Sequence, residues 1–65
     1  MTKFLILMVH LDSLAEHNEI LSISYSEYLN NSLTIIPAKG NGIVLDLRWS
    51  VERLLPELTA EWENR

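Results

Sequence analysis

A chain of 65 residues is long enough for one domain, residues 1–65, and such a chain buries only about 60% of the surface that its unfolded form exposes. It contains no cysteine, which excludes disulfides, cysteine-based zinc sites and thiol redox chemistry. Nine acids against five scattered bases give a net charge of −4, which argues against nucleic-acid binding because phosphate contacts need clustered lysine and arginine. The same charge suits a partner protein with a basic surface.

The first predicted element is the run of apolar residues from Phe4 to Val9. The run is too short for a membrane-spanning helix, which needs about 20 apolar residues. It is not followed by the small-residue cleavage site of a signal peptide. A short, continuous apolar run is typical of a strand in the middle of a sheet. We therefore predict a strand over residues 3–10 of a cytoplasmic protein that makes no contact with a membrane.

The second predicted element is also a strand, and it follows a short polar connection. Ser13 and Glu16 have the spacing of a capping box, which predicts about one turn of helix within the connection. Residues 20–26 alternate apolar side chains with serines, which is the pattern of a strand with one solvent-exposed face. Because the connection is short, this strand is expected to run antiparallel to the first.

Two further strands are predicted on either side of a turn. Residues 33–38 and 43–49 are apolar β-type runs that flank Gly-Asn-Gly at positions 40–42, and Asn-Gly is a strong hairpin signal. A two-residue loop would place Ile36 on the core face, whereas a three-residue loop with a bulge would place Ile35 there. We favour the three-residue loop because it gathers more apolar surface on one face.

An amphipathic helix is predicted over residues 50–64, with Ser50 as its N-cap. Its apolar residues recur at helical spacing and share one arc of the helical wheel: Val51, Leu54, Leu55, Leu58 and Trp62. Trp62 is therefore expected in the core. Pro56 removes a backbone hydrogen bond and clashes with the preceding turn, so we expect the helix to bend there.

These elements predict an α+β fold with the C-terminal helix packed on one face of a sheet. The sheet is a four-stranded antiparallel meander with strands at approximately 3–10, 20–26, 33–38 and 43–49. Pro37 lacks an amide hydrogen, so the third strand should be an edge strand or should pair on only one side at this residue. An exposed edge of the second or third strand would allow pairing with another copy of the chain.

Catalytic and metal-binding candidates are few. The potential ligands cluster near one loop, at His10, Asp12, Glu16 and His17, but their spacing is not that of ligands fixed on one helix face. The serines of residues 20–26 lack a nucleophile elbow. The sequence KGNG at 39–42 leads into a strand, whereas a phosphate-binding loop leads into a helix. We predict no catalysis, no metal and no cofactor; a metal-binding protein or enzyme that uses the His10–His17 loop is the less favoured alternative.

Partner binding is the function that the remaining features favour. Aromatic residues are common at binding hot spots, and the two expected to be exposed are Tyr28 and Trp49. Four acids of the predicted helix would add a surface for a basic partner: Glu52, Glu57, Glu61 and Glu63. We expect a small acidic, non-enzymatic module that binds or inhibits a partner protein, as phage-encoded inhibitors of host complexes do by analogy of class. The alternative is a homo-oligomeric structural or regulatory subunit, such as a homodimer formed through an edge strand.

Overall fold

The computed structural model describes residues 2–26 and 31–65, which form two helices and a three-stranded antiparallel sheet. The elements in chain order are helix α1 (Thr2–Leu14), a short 3₁₀ helix (His17–Glu19), strands β1 (Ile20–Ser26), β2 (Ser32–Pro37) and β3 (Ile43–Asp46), and helix α2 (Val51–Glu63). The strand order is β1-β2-β3, so β2 lies in the centre of the sheet. Within the described residues, no helix has both the length and the apolar character needed to cross a membrane.

The predicted four-stranded meander is wrong, because residues 3–10 lie in α1 and not in a strand. A continuous apolar run has no periodicity that separates a buried strand from a buried helix. Leucine and methionine favour helix, and the two buried positions of α1, Leu7 and Leu11, are one helical turn apart. Ser13 does not begin a helical turn. It lies in the last turn of α1, where its hydroxyl donates to the His10 carbonyl oxygen at 2.6 Å.

The later elements follow the prediction more closely. The strand predicted at 20–26 is β1, and the helix predicted at 50–64 is α2, with Ser50 at its N-cap position. The last predicted strand ends early, at Asp46, where the Trp49 amide donates to the Asp46 carbonyl oxygen and turns the chain. Helix α2 continues through Pro56 without interruption. The bend at Pro56 remains a prediction.

The pairing of β2 with β3 sets which side chains enter the core. Leu33 is opposite Leu45 and Ile35 is opposite Ile43, so the predicted grouping of these residues on the core face is confirmed. The connection spans residues 38–42, so both predicted loop lengths are wrong.

The position of Pro37 in the sheet agrees with its lack of an amide hydrogen. It is the last residue of β2 and pairs with Ile20 of β1, beyond the end of the pairing between β2 and β3. The prediction of pairing on one side at Pro37 is therefore confirmed. The alternative, that this strand is an edge, is wrong because β2 is central.

Both helices pack on the same face of the sheet. The buried hydrophobic cluster contains Leu7, Leu11, Leu33, Ile35, Ile43, Leu45, Leu47, Leu54, Leu58 and Trp62. Trp62 is 4% exposed, which confirms its predicted burial. The Lys3 ammonium fixes the start of α1 by donating to the carbonyl oxygens of Leu47 (2.9 Å) and Trp49 (2.7 Å), in the connection between β3 and α2.

Replacement of Gly40 by alanine is expected to lower the free energy of unfolding by about 1–3 kcal/mol. Gly40 has a φ of +95°, and an added Cβ would collide with the main-chain carbonyl of Arg65. Urea unfolding followed by circular dichroism measures the change. Gly42→Ala is the matched control, because its Cβ would first meet the flexible end of Ile36, at 3.3 Å. We expect that control to change stability by less than about 0.5 kcal/mol; equal effects of the two variants would contradict this loop conformation.

Replacement of Pro56 by alanine is expected to raise the free energy of unfolding by about 1–3 kcal/mol. Pro56 is exposed inside α2, so the substitution restores a helical hydrogen bond without disturbing the core. Thermal unfolding measures the gain. Ala60→Gly, also at an exposed position of α2, should instead lower stability by about 1 kcal/mol. A Pro56→Ala variant that melts at or below the temperature of the unmodified chain would contradict the prediction.

Candidate functional site

Strand β1 forms one edge of the sheet, and none of its residues is buried. Ile23 is opposite Ile35 and Tyr25 is opposite Leu33, so both β1 side chains lie on the face that the helices cover. Even so, Ile23 is 39% exposed and Tyr25 is 43% exposed. The buried residues of the sheet all belong to β2 and β3, so the helices leave the β1 edge largely uncovered.

Helix α1 is apolar around most of its circumference. Leu7 and Leu11 enter the core, whereas Leu5 and Val9, on the opposite side of the helix, are 61% and 71% exposed. Ile6 is also exposed. A helix that is hydrophobic all round is normally buried all round. The outward side of α1 therefore lacks the cover that its composition predicts.

One aromatic contact joins α1 to β1. The rings of Phe4 and Tyr25 meet edge to face with their centroids 5.8 Å apart, which places α1 beside the β1 edge. Leu5 and Val9 lie further round the same helix. We call Leu5, Val9, Ile23 and Tyr25 the α1–β1 surface. It contains an aromatic ring and three aliphatic side chains, and none of the four is charged.

Sequence reasoning missed the α1–β1 surface for one reason. With residues 3–10 taken as an interior strand, Leu5 and Val9 would be covered on both faces. The alternation in residues 20–26 predicts β1, but the prediction of a helix packed on the sheet leads us to expect that the apolar side of β1 is covered. The signal that was available is the composition of α1, because leucine and methionine favour helix over strand.

The predicted partner-binding residues are distributed over α2 and its start. The four glutamates are all exposed: Glu52, Glu57, Glu61 and Glu63. On a helix of 3.6 residues per turn they divide between two flanks, with Glu57 and Glu61 on one flank and Glu52 and Glu63 on the other. They do not form one compact acidic patch. Tyr28 lies outside the described residues.

Trp49 is half-buried at the connection between β3 and α2, and its ring is already in contact with a cation. The guanidinium carbon of Arg53 lies 3.8 Å from the ring centroid. The connection is held by Asp46, whose carboxylate accepts hydrogen bonds from the Arg48 side chain (2.7 Å) and amide (2.9 Å). The side-chain hydrogen bond from Arg48 is the main reason that the pKa of Asp46 is lowered from 3.8 to about 2.

The histidines do not assemble a metal centre or a catalytic pair. The Thr59 hydroxyl lies 2.7 Å from His10 Nε2 and donates to the Leu55 carbonyl oxygen at 3.1 Å, so the imidazole joins α1 to α2. His17 is exposed in the 3₁₀ helix. Across residues 2–26 and 31–65, no three acidic or histidine side chains come together as metal ligands would.

A shallow depression near Arg65 is lined by Asn18, Glu19, Ala38, Lys39 and Arg65. The Arg65 guanidinium pairs with Glu19 at 3.2 Å and stacks on the Trp62 ring at 3.7 Å. Its contacts join the end of α2 to the 3₁₀ helix. They are explained by packing.

The α1–β1 surface thus contains four of the eight large hydrophobic residues that are exposed in the described chain. Comparison of the whole chain with protein-family models, with curated proteins and with solved structures found no match in any of the three.

Proposed function

We propose that this chain is a small, non-enzymatic protein-interaction module that binds, and by binding inhibits or regulates, a partner protein. The exposure of the α1–β1 surface is the observation that supports the proposal. Full burial of one exposed large apolar side chain is worth about 1.5–3 kcal/mol, and because these four are 39–71% exposed, covering each would contribute part of that amount. An aromatic ring among aliphatic side chains is also the usual composition of an interface core.

The polar chemistry of the chain favours binding over catalysis. The His10 imidazole is used to join α1 to α2 through Thr59, and the Asp46 carboxylate is used to hold a turn. Both are therefore accounted for as structural groups. We place the module in the cytoplasm, because a chain without cysteine draws no stability from an oxidising compartment.

Replacement of Val9 by glutamate is expected to weaken partner binding at least about tenfold, because it puts a charge into the apolar contact. Affinity capture from the native host, with quantification of the retained proteins, measures the loss. Val44→Glu is the matched control: Val44 is 62% exposed on β3, on the face of the sheet away from the helices.

Both variants should keep the circular dichroism spectrum of the unmodified chain, because both positions are exposed. Capture of the same proteins in the same amounts by Val9→Glu would contradict the proposed surface. Loss of capture by Val44→Glu alone would move the site to the other face of the sheet.

The acidic residues of α2 support a second candidate contact, with a basic partner. Glu52 and Glu63 are exposed on the flank of α2 that also carries Thr59, which contacts His10 of α1, and the chain carries a net charge of −4. Such charges increase the rate of association more than they slow dissociation. On this view the glutamates steer the partner, and the α1–β1 surface holds it.

The double substitution Glu52→Gln with Glu63→Gln is expected to slow association by about threefold to tenfold at low salt, with little change in dissociation. Surface plasmon resonance against the captured partner measures both rates at several salt concentrations. Glu57→Gln with Glu61→Gln, on the flank that faces away from α1, is the control of equal charge. Association rates that do not depend on salt in the unmodified chain would exclude the steering role.

A further inference from the structure

We propose that Asn41 is a site of spontaneous modification, at which the side-chain amide is lost and an isoaspartyl linkage to Gly42 is formed. The only co-reactant is water. The inference does not depend on the proposed function, because the site lies in the connection between β2 and β3 and needs no partner. The sequence Gly-Asn-Gly at positions 40–42 thus has a chemical property as well as a conformational one.

The reaction begins within the chain. The main-chain nitrogen of Gly42 attacks Cγ of Asn41, so that a new nitrogen–carbon bond forms and the carbon–nitrogen bond of the side-chain amide breaks. The amide nitrogen leaves as ammonia with the proton that the Gly42 nitrogen loses, and a succinimide ring remains. Water then opens the ring at either carbonyl carbon, which gives aspartate or isoaspartate. No atom is oxidised or reduced, and each product carries one additional carboxylate.

The attacking nitrogen of Gly42 is open. Glycine has no Cβ, so no side chain hinders the approach of Asn41 Cγ to this nitrogen. Both residues are exposed and belong to no helix or strand. Among the turn and loop hydrogen bonds between main-chain groups of the described chain, none is donated by the Gly42 amide. The conditions for ring closure therefore coincide at this position.

Two other asparagines of the described chain, Asn18 and Asn64, lack these conditions. The nitrogen that would attack at Asn18 belongs to Glu19, and it already donates a main-chain hydrogen bond of 3.0 Å at the 3₁₀ helix. Asn64 is followed by Arg65, whose guanidinium stacks on the ring of Trp62 at 3.7 Å. In both cases the next residue has a large side chain beside its nitrogen, so ring closure should be slow.

Asn31 is the more informative comparison, because the residue after it, Ser32, is small. Ser32 is the first residue of β2 and is paired with both neighbouring strands. The carbonyl oxygen of Asn31 accepts from the Leu47 amide at 2.7 Å, so the main chain is fixed on both sides of the bond between Asn31 and Ser32. Ring closure requires this main chain to rotate, which the sheet opposes. Folding therefore protects Asn31 and leaves Asn41 unprotected.

The isoaspartyl product lengthens the main chain by one atom, and this atom lies between two fixed points of the connection. On one side, Gly40 packs against the main-chain carbonyl of Arg65. On the other side, Ile43 is paired with Ile35 in the core. One of these contacts must shift to accept the added atom. The aspartyl product has a main chain of unchanged length and leaves both contacts in place.

Incubation of the purified chain for several days at about pH 8 and about 37 °C, followed by peptide mapping with mass spectrometry, tests the inference. Digestion at acidic pH and fragmentation of each peptide assign the reacting residue. The peptide that contains Asn41 should gain about 1 Da and separate into aspartyl and isoaspartyl forms. Gly42→Ala should slow the reaction at least about tenfold, because its methyl group hinders the attacking nitrogen. Asn31 is the internal control and should keep its amide over the same period.

The same incubation in about 8 M urea separates the effect of the fold from that of the local sequence. Asn31 should then react at least about tenfold faster than in the folded chain, whereas the rate at Asn41 should change by less than about threefold. A reaction at Asn41 that is no faster than at Asn31 in the folded chain, or that Gly42→Ala does not slow, overturns the inference. A rate at Asn41 that rises as much in urea as the rate at Asn31 also overturns it.

The consequence for the connection has its own measurement. The isoaspartyl form, isolated by chromatography, should melt at least about 4 °C below the variant Asn41→Asp, which has the same charge and a main chain of ordinary length. Equal melting temperatures would overturn the proposed effect of the added atom on the contacts of Gly40 and Ile43.

Discussion

The packing of two helices against one face of a three-stranded sheet determines the rest of this structure. The side chains of Leu33, Ile35, Ile43 and Leu45 point to the same face, and α1 and α2 meet over them. Within the described residues, both helices pack on this face, and the other face of the sheet carries exposed residues such as Ile36 and Val44. Apolar residues at the margin of this layer or outside it, among them Leu5, Val9, Ile23 and Tyr25, remain exposed. That constraint produces the α1–β1 surface.

The features predicted correctly from the sequence are those with a clear period or a clear chemical restriction. The alternation in residues 20–26 identified β1, the stripe that includes Leu54, Leu58 and Trp62 identified α2, and the missing amide of Pro37 limited its pairing. The grouping of Leu33 and Ile35 in the core followed from apolar content alone. Each of these arguments depends on neighbours a few residues apart, where local geometry is decisive.

The wrong predictions have a common physical origin: in each case the neighbouring residues in the sequence do not determine the structure. The run from Phe4 to Val9 has no period, and only tertiary packing determines that it forms a helix. The hairpin connection is longer than a tight turn, and Gly40 within it packs against Arg65, a residue distant in the sequence. The candidate site was affected in the same way: the exposure of Leu5 and Val9 cannot be inferred until α1 is known to be a helix. The predicted glutamates are exposed, but helical geometry separates them into two flanks.

The way in which α1 is held has a consequence for the newly made chain. Its partners lie far along the sequence, since Lys3 contacts the carbonyl oxygens of Leu47 and Trp49 and His10 contacts Thr59. Contacts of long sequence separation form late, because a large loop must close before they are made. During synthesis the first helix therefore leaves the ribosome before residues 51–63 exist to receive it. For that interval the apolar residues of α1 that are buried in the folded chain are also available to chaperones and to neighbouring nascent chains.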